Sequence, residues 1–184
     1  MFHAPDGGEV TIRPLRRDDF PLLHRWLAMP HVQQWWGSEP MTAADVELKY
    51  GPRADGTDPT RVFAIELAGQ PVGIIQCYRH ADYAAWDRAV GIAAAAGIDY
   101  LVGEPAQRGR GVGTAAIACL APRVFGFYPE IAAIVAVPQA ANHPSRRALE
   151  KAGFRLVAER KLDSDDPSDA GLSAVYALTR PPLS

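Results

Sequence analysis

The 184-residue sequence predicts an α/β (α+β) fold in which helices flank a mixed, mostly antiparallel central sheet. Three observations lead to this prediction. Segments with the apolar patterns of strands are interspersed with segments of helical period, in the order β-α-α-β-β-β-α-β-α-β-β. Turn sequences join neighbouring strands into hairpins in the middle and at the end of the chain. The length and the hydrophobic content of 48% suit one domain, predicted over residues 1–184.

The N-terminal part of the chain predicts one strand followed by two helices. Residues 9–14 alternate between apolar and polar side chains, which is typical of a half-buried strand. Apolar residues at helical spacing predict a helix over residues 20–27. This helix should end near Pro30, because a residue before proline disfavours the helical region. A Thr-x-x-Asp capping box predicts a second helix over about residues 42–50, and residues 51–59 predict a polar loop.

The middle of the chain predicts a hairpin, with strands over residues 61–67 and 72–78 around a short turn. Residues 79–96 have no clear hydrophobic periodicity. Their length and aromatic content suit a loop on the substrate side of the protein, and the alternative is a flexible connection. The remaining elements are predicted as strands over residues 98–102, 132–137, 154–160 and 173–178, a helix after residue 114, and a helix over residues 145–151 closed by Gly153.

The charge and composition of the chain argue against several classes of function. The formal net charge of −2 does not suggest a nucleic-acid-binding protein, which would usually be basic. Residues 1–6 lack the basic start and apolar core of a signal peptide, and the longest apolar stretch, residues 90–98, is too short to span a bilayer. The two cysteines and five histidines show no metal-ligand spacing. We therefore expect a cytoplasmic monomer or homodimer that binds no metal, nucleic acid or membrane.

A glycine-rich stretch lies between a predicted strand and a predicted helix. It consists of Gln107, Arg108, Gly109, Arg110, Gly111, Val112, Gly113 and Thr114. Its glycine spacing does not fit the dinucleotide fingerprint, and it lacks the lysine of a Walker loop. Because glycines allow close approach and a helix start presents unpaired N–H groups, the stretch suits a phosphate or pyrophosphate. The alternative is a helix entry with solvated arginines.

Two adjacent tryptophans, Trp35 and Trp36, occur in the polar segment from His31 to Gly37. We predict this segment as a loop, because aromatics in a helix core would more often be three or four residues apart. In such a loop the pair can wall a pocket and stack on a sugar, or it can plug the core beneath the loop.

The chain resembles the GCN5-related N-acetyltransferase (GNAT) superfamily over essentially its whole length, because it carries three motifs of that superfamily in the order in which the superfamily has them. They are Arg108-x-x-Gly111-x-Gly113, the segment Ala148–Phe154 with its Glu-Lys-x-Gly-Phe turn, and the preceding Asn142. Within the superfamily, His31–Gly37 and Gly97-Ile98-Asp99 make the sequence most similar to aminoglycoside 6'-N-acetyltransferases. Siderophore-type lysine N-acyltransferases share much of this architecture, and a non-catalytic CoA-binding module is a third reading.

The resemblance implies acetyl-CoA as donor and a small polyamine as acceptor. Backbone amides around Leu101 and Val102 would face the thioester and pantetheine arm, the stretch 107–114 would hold the pyrophosphate, and Asn142 would lie near the arm. Strand amides splayed by a bulge would supply oxyanion donors. Asp99 would bind the incoming ammonium and accept its proton, although a structural hydrogen bond is the alternative role.

The acceptor site would consist of Trp35, Trp36, Asp82, Trp86 and Asp99. The acidic loop that contains Asp163, Asp165, Asp166 and Asp169 is interpreted as solvated and is left out of the site.

One position departs from the family pattern. Many members carry a tyrosine in the helix after Asn142 as an acid for the CoA thiolate, and by the resemblance that position is Leu149 here. No protein acid is therefore assigned. Tyr100 or Tyr83 are possible substitutes between which the sequence does not choose, and water can also protonate the thiolate.

Overall fold

The computed structural model describes residues 2–3, 7–37, 39–164, 166 and 169–181. The helices are α1 (Phe20–Leu27), α2 (Pro30–Trp36), α3 (Ala43–Asp55), α4 (Ala84–Val90), α5 (Val112–Phe127) and α6 (His143–Lys151). The strands are β1 (Phe2–His3), β2 (Glu9–Pro14), β3 (Arg61–Leu67), β4 (Gln70–Arg79), β5 (Ala95–Val102), β6 (Ala133–Ala136), β7 (Arg155–Arg160) and β8 (Ser173–Thr179).

The strands in the described residues form one sheet in the order β1-β2-β3-β4-β5-β6-β8-β7. All neighbours pair antiparallel except β5 and β6, which are parallel. The hairpin predicted from the middle of the chain is the β3–β4 pair. The mixed, mostly antiparallel sheet predicted from the sequence is confirmed.

Helices cover both faces of the sheet. On one face α5 packs against β2, β4, β5 and β6, with Ile117, Leu120 and Val124 fully buried. On the other face α1, α2 and α3 surround a second cluster that includes Ile74 and Leu101. Because successive strand residues point to opposite faces, β4 and β5 contribute apolar side chains to both layers. Within the described ranges, no helix is long and apolar enough to cross a membrane.

The segment predicted as a loop around the two tryptophans is helical, which corrects the sequence prediction. Pro30, expected to stop α1, is instead the first residue of α2. Proline suits this position because the first N–H groups of a helix have no internal partner. The helix is short and buries only Val32, so its apolar pattern is too weak to predict.

The next helix is also longer than predicted. The capping box of Thr42 and Asp45 is present, but α3 continues past Tyr50 and through Pro52 to Asp55. It ends where Gly56 adopts a φ of 74°. Tertiary contacts outweigh the proline, because Arg53 lies over the buried Tyr50 ring and also bonds to the sheet.

Residues 79–96, predicted as a loop without a period, contain the short helix α4 and the first residues of β5. Alanines and a glycine form this early part of β5, so the β-branched and aromatic signal of a strand is missing. The parallel pairing of Ala95, Ala96 and Gly97 with β6 fixes the segment as a strand.

Gly103, directly after β5, provides a test of the packing. A Cβ atom at this position would lie 2.1 Å from Cγ of Trp26, whose side chain is completely buried. We expect Gly103→Ala to lower the free energy of unfolding by about 1–3 kcal/mol or more, because overpacking displaces the indole ring.

The matched control is Gly126→Ala, since Gly126 lies in α5 and its Cβ would meet no atom within 4 Å. This exchange should stabilise the protein by about 0.4–1 kcal/mol. Urea unfolding of the three proteins measures both effects. Equal midpoints for Gly103→Ala and the wild type would contradict the packing around Trp26.

Candidate functional site

Two adjoining cavities lie at the ends of the central strands. The first has a volume of about 500 Å³ and lies between the end of β5, the glycine-rich stretch and α6. The second has a volume of about 480 Å³ and lies between α2, α3, β4, β5 and the acidic loop before β8. Among the described residues, those that line both cavities are Trp35, Trp36, Tyr100, Asn142 and Ser145. These five side chains mark the junction between the cavities.

The cavities exist because β6 is shorter than β5. The parallel pairing ends at Gly97 and Val135, whereas β5 continues to Val102. Residues 98–102 therefore have no strand neighbour on the β6 side within the described part of the chain. On the other side β4 pairs with β5 in regular register throughout. The bulge expected to splay strand amides into oxyanion donors is thus absent from the β4–β5 pairing, and the opening arises from the end of β6.

The glycine-rich stretch shapes one end of the first cavity. Gly109 and Gly111 have φ values of 72° and 80°, in the left-handed region that favours glycine. Helix α5 starts directly after Gly111 and has no side-chain cap, so its first N–H groups are available to bind a ligand in the cavity. This arrangement fits a phosphate or pyrophosphate. Arg110, unlike the other predicted cofactor residues, does not line the cavity, and it donates to Gln107 at 3.2 Å.

Helix α2 forms the wall between the two cavities. Nε2 of His31 donates to the Val102 carbonyl at 3.2 Å, which ties the helix to the end of β5. Trp35 and Trp36 follow one turn later and both line both cavities. Of the two roles that the sequence left open for this pair, the geometry favours lining a pocket over plugging the core, and the pair lies in a helix instead of the predicted loop.

Asp99 lies on β5 and lines the second cavity. Its cross-strand partner Gln76 donates from Nε2 to Asp99 Oδ2 at 2.8 Å. Arg53 in turn donates to Gln76 Oε1 at 3.1 Å. Burial raises the pKa of Asp99, the hydrogen bond from Gln76 lowers it, and Asp169 raises it again, with the net shift above the ordinary value. A carboxylate with a raised pKa is a better proton acceptor than an exposed one.

Gln76 was missed by the sequence reasoning. It is 8% exposed and lies between the buried apolar residues Ile75 and Cys77 in β4. A polar side chain at such a position needs a hydrogen-bond partner, and this is the signal that would have singled it out.

The remaining predicted acceptor residues separate into two groups. Trp86, on α4, lines the second cavity. Asp82 does not line it, because its carboxylate accepts hydrogen bonds from Arg79 at the protein surface, the shorter at 2.7 Å. The structure therefore does not bring Asp82 to the candidate site.

The acidic loop, which the sequence analysis left out, does reach the second cavity. Asp163, Asp166 and Asp169 line it, and Asp165 lies outside the described residues. Ser164 donates to Asp169 at 2.6 Å, and burial raises the pKa of Asp169. A run of charges gives no sign in the sequence of whether it is solvated or folded over a site, so this contribution could not be predicted.

Lys49, another residue that the sequence analysis did not single out, lies in the same cavity. Desolvation and the nearby Arg53 lower the pKa of its ammonium group. The acidic side chains around it outnumber this one lysine, so the second cavity favours cations. Within the described residues, no group of three or more His, Cys, Asp or Glu side chains is arranged to hold a metal ion.

Helix α6 begins at the junction of the cavities. Asn142 caps it, with Oδ1 accepting from the Ser145 N–H at 3.2 Å. One turn after Ser145, Leu149 is completely buried in the core and lines neither cavity. The position at which the resemblance expects a tyrosine thus serves packing in this chain.

A phosphate-type loop at one cavity and a carboxylate in an acidic, tryptophan-walled second cavity suit a group-transfer enzyme that binds its donor and its acceptor in separate places. The comparison with known families gives the class: residues 16–162 match the acetyltransferase (GNAT) domain family, and the chain belongs to this family. The predicted superfamily, its fold and its acetyltransferase class are thereby confirmed.

Individual relatives agree with this assignment. The chain is 32% identical over 148 residues to the aminoglycoside N(6')-acetyltransferase type 1 of Klebsiella pneumoniae, covering 79% of this chain and 73% of the relative. A solved structure of AAC(6')-Ib in complex with paromomycin and acetyl-CoA superposes with a TM-score of 0.75 at 28% identity, covering 94% of each chain. The spermidine N-acetyltransferase of Vibrio cholerae has a TM-score of 0.71 at 16% identity over 92% of this chain and 95% of that protein, and shows a common fold.

The raised pKa of Asp99 predicts a cost in stability. Because the folded state holds the Asp99 proton more tightly than the unfolded state, the protein loses stability as the pH rises through the folded-state pKa. We expect Asp99→Asn to melt at a higher temperature than the wild type at neutral pH. The difference should vanish below the pKa of an unfolded aspartate, about 3.9, where both states are protonated.

Asp45→Asn is a control of opposite sign. Hydrogen bonds from the side chain and backbone of Thr42 lower the pKa of Asp45, so its carboxylate stabilises the folded state at neutral pH. This variant should melt below the wild type at neutral pH and approach it in acid. Thermal melts of the three proteins from acidic to neutral pH test both signs, and a lower melting temperature for Asp99→Asn at neutral pH would contradict the desolvation of Asp99.

Proposed function

We propose that this protein transfers the acetyl group of acetyl-CoA to a primary amine of a small polyamine, the 6'-amine of an aminoglycoside. The observation that carries the proposal is the position of Asp99 in an acidic cavity walled by Trp35 and Trp36, next to a cavity shaped for a phosphate-bearing donor. The names of the relatives support the choice of acceptor and of acetyl-CoA.

The first cavity would hold acetyl-CoA. Backbone N–H groups at the start of α5 would bind its pyrophosphate, and the unpaired edge of β5 at Leu101 and Val102 would accompany the pantetheine arm. The thioester would then lie at the junction of the cavities, because the acetyl group has to reach an amine in the second one.

The second cavity would hold the acceptor. A polyamine carries several positive charges, and Asp163, Asp166 and Asp169 would attract and orient them. The faces of Trp35 and Trp36 suit packing against a sugar ring. Lys49 places one positive charge in this cavity, which would disfavour an acceptor ammonium next to it.

Asp99 would deprotonate the nucleophile. An alkyl ammonium has a pKa of about 10, so the amine must lose a proton before it attacks the carbonyl carbon. Asp99 would first pair with the ammonium and then accept its proton, directly or through water, while Gln76 fixes the carboxylate.

The acceptor is tested with two aminoglycosides that differ only in a 6'-amine or a 6'-hydroxyl. We expect release of the CoA thiol from acetyl-CoA with the amine and none above background with the hydroxyl, measured by a thiol-reactive dye. Release with both compounds would place the acetyl group on another amine. Release with neither, but with lysine or hydroxylysine, would replace the aminoglycoside by a siderophore-type acceptor.

Asp99→Asn tests the base. We expect kcat to fall by about 10²–10⁴-fold, the usual contribution of general acid–base catalysis, while calorimetry gives an unchanged Kd for CoA. In the wild type, kcat should decrease as the pH falls through the raised pKa of Asp99.

Asp82→Asn is the matched control, because the carboxylate of Asp82 pairs with Arg79 outside the cavity. This variant should retain wild-type kcat and KM. A normal kcat in Asp99→Asn would exclude Asp99 as the base.

A further inference from the structure

The junction between the two cavities contains two hydroxyl groups. Of the five residues that line both cavities, Tyr100 and Ser145 carry an O–H, and their oxygens are 2.9 Å apart. The Tyr100 hydroxyl is also 3.2 Å from the Ser145 carbonyl. Leu149, at the position where the family pattern has a tyrosine, has no polar atom and is buried in the core. The junction therefore has a tyrosine hydroxyl on β5 in place of a tyrosine hydroxyl at position 149 of α6.

We propose that the Tyr100 hydroxyl is a catalytic residue that donates a hydrogen bond to the departing sulfur of the donor, with Ser145 as its positioning residue. The proposal rests on acetyl-CoA as the donor in the proposed function. Cleavage of the C–S bond leaves its electron pair on sulfur, and the Tyr100 O–H stabilises that charge. The phenolic proton stays on oxygen, and solvent protonates the thiolate after release.

The local environment keeps Tyr100 in the form that can donate. Burial raises the pKa of Tyr100 to about 12, and Ser145 partly opposes this shift. The phenol is therefore protonated at neutral pH. A tyrosine has one O–H proton, so donation to sulfur requires it to turn away from the Ser145 carbonyl. The Ser145 hydroxyl can then donate to the phenolic oxygen, which strengthens the phenol as a donor.

The position of the Tyr100 ring is fixed by the fold. Tyr100 packs against the α5-side core, and a Cβ atom on Gly113 would lie 3.1 Å from its ring. Gly113 belongs to the same glycine-rich stretch that shapes the first cavity. The absence of a side chain at this position thus leaves room for the ring next to the start of α5.

Tyr83, the other tyrosine considered from the sequence, is excluded by its position. Its hydroxyl is bonded to Thr60 at 2.5 Å and approaches Asp58 at 3.4 Å, and it lines neither cavity. This tyrosine provides a matched control, because Tyr83→Phe removes the same atom from a partly buried hydrogen bond away from the junction.

The experiment is a pH titration of the CoA thiol in its complex with the protein, followed by the ultraviolet absorbance of the thiolate, with no acceptor present. An ordinary thiol has a pKa of about 8.5. A hydrogen bond to the thiolate lowers this value. We expect the thiol pKa to be higher in Tyr100→Phe than in the wild type by about one to two pH units, higher by less in Ser145→Ala, and unchanged in Tyr83→Phe.

Titration of each protein without CoA gives the background. This background contains the protein's own thiols, since burial raises the pKa of Cys77 to about 12 and also raises that of Cys119. With an active acceptor, Tyr100→Phe should lower kcat about 10- to 100-fold at an unchanged KM for acetyl-CoA.

The outcomes separate this proposal from the proposed function. The same thiol pKa in Tyr100→Phe and the wild type would overturn the role of Tyr100 and leave the acceptor and Asp99 untouched. An equal rise in Tyr83→Phe would also overturn it, since the effect would then not depend on the junction. Failure of CoA to bind the wild type would overturn both proposals, whereas failure to acetylate aminoglycosides would overturn only the acceptor.

Discussion

The unequal lengths of β5 and β6 are the constraint on which the site depends. Their parallel pairing stops at Gly97, and the backbone edge of residues 98–102 then faces a cavity instead of a strand. Unpaired backbone groups need partners, and in this chain one is already supplied when His31 binds the Val102 carbonyl. An open strand edge of this kind can bind an extended, amide-bearing ligand in the way a neighbouring strand would.

The second constraint is electrostatic. Asp99 shares its cavity with the carboxylates of the loop before β8, and its pKa is raised both by burial and by Asp169. Such a cluster of like charges is unfavourable in the empty protein and becomes favourable when a polycation enters. In the proposed function, binding of a cationic acceptor would recover the free energy that folding loses at this site, and the hydrogen bond from Gln76 fixes the Asp99 carboxylate.

The sequence predicted most of the sheet, because strands such as β3 and the hairpin with β4 carry strong local patterns. The sequence did not predict α2 and α4, because these helices are short and are stabilised by tertiary contacts rather than by a periodic apolar face. At the site, the glycine-rich stretch was found from its own spacing, whereas Gln76 and the acidic loop depend on which segments meet in space. A single domain and a monomeric or homodimeric state stay predictions.

The two residues proposed to act in catalysis lie on one strand. Asp99 and Tyr100 are neighbours on β5, so their side chains point to opposite faces of the sheet, and both reach the second cavity because the strand has no β6 partner there. Leu149 is then free to serve as a core residue of α6. Leucine instead of tyrosine at position 149 removes a hydroxyl from α6. The proposed reaction can still use a tyrosine hydroxyl, because Tyr100 on the adjoining strand β5 carries one at the same junction.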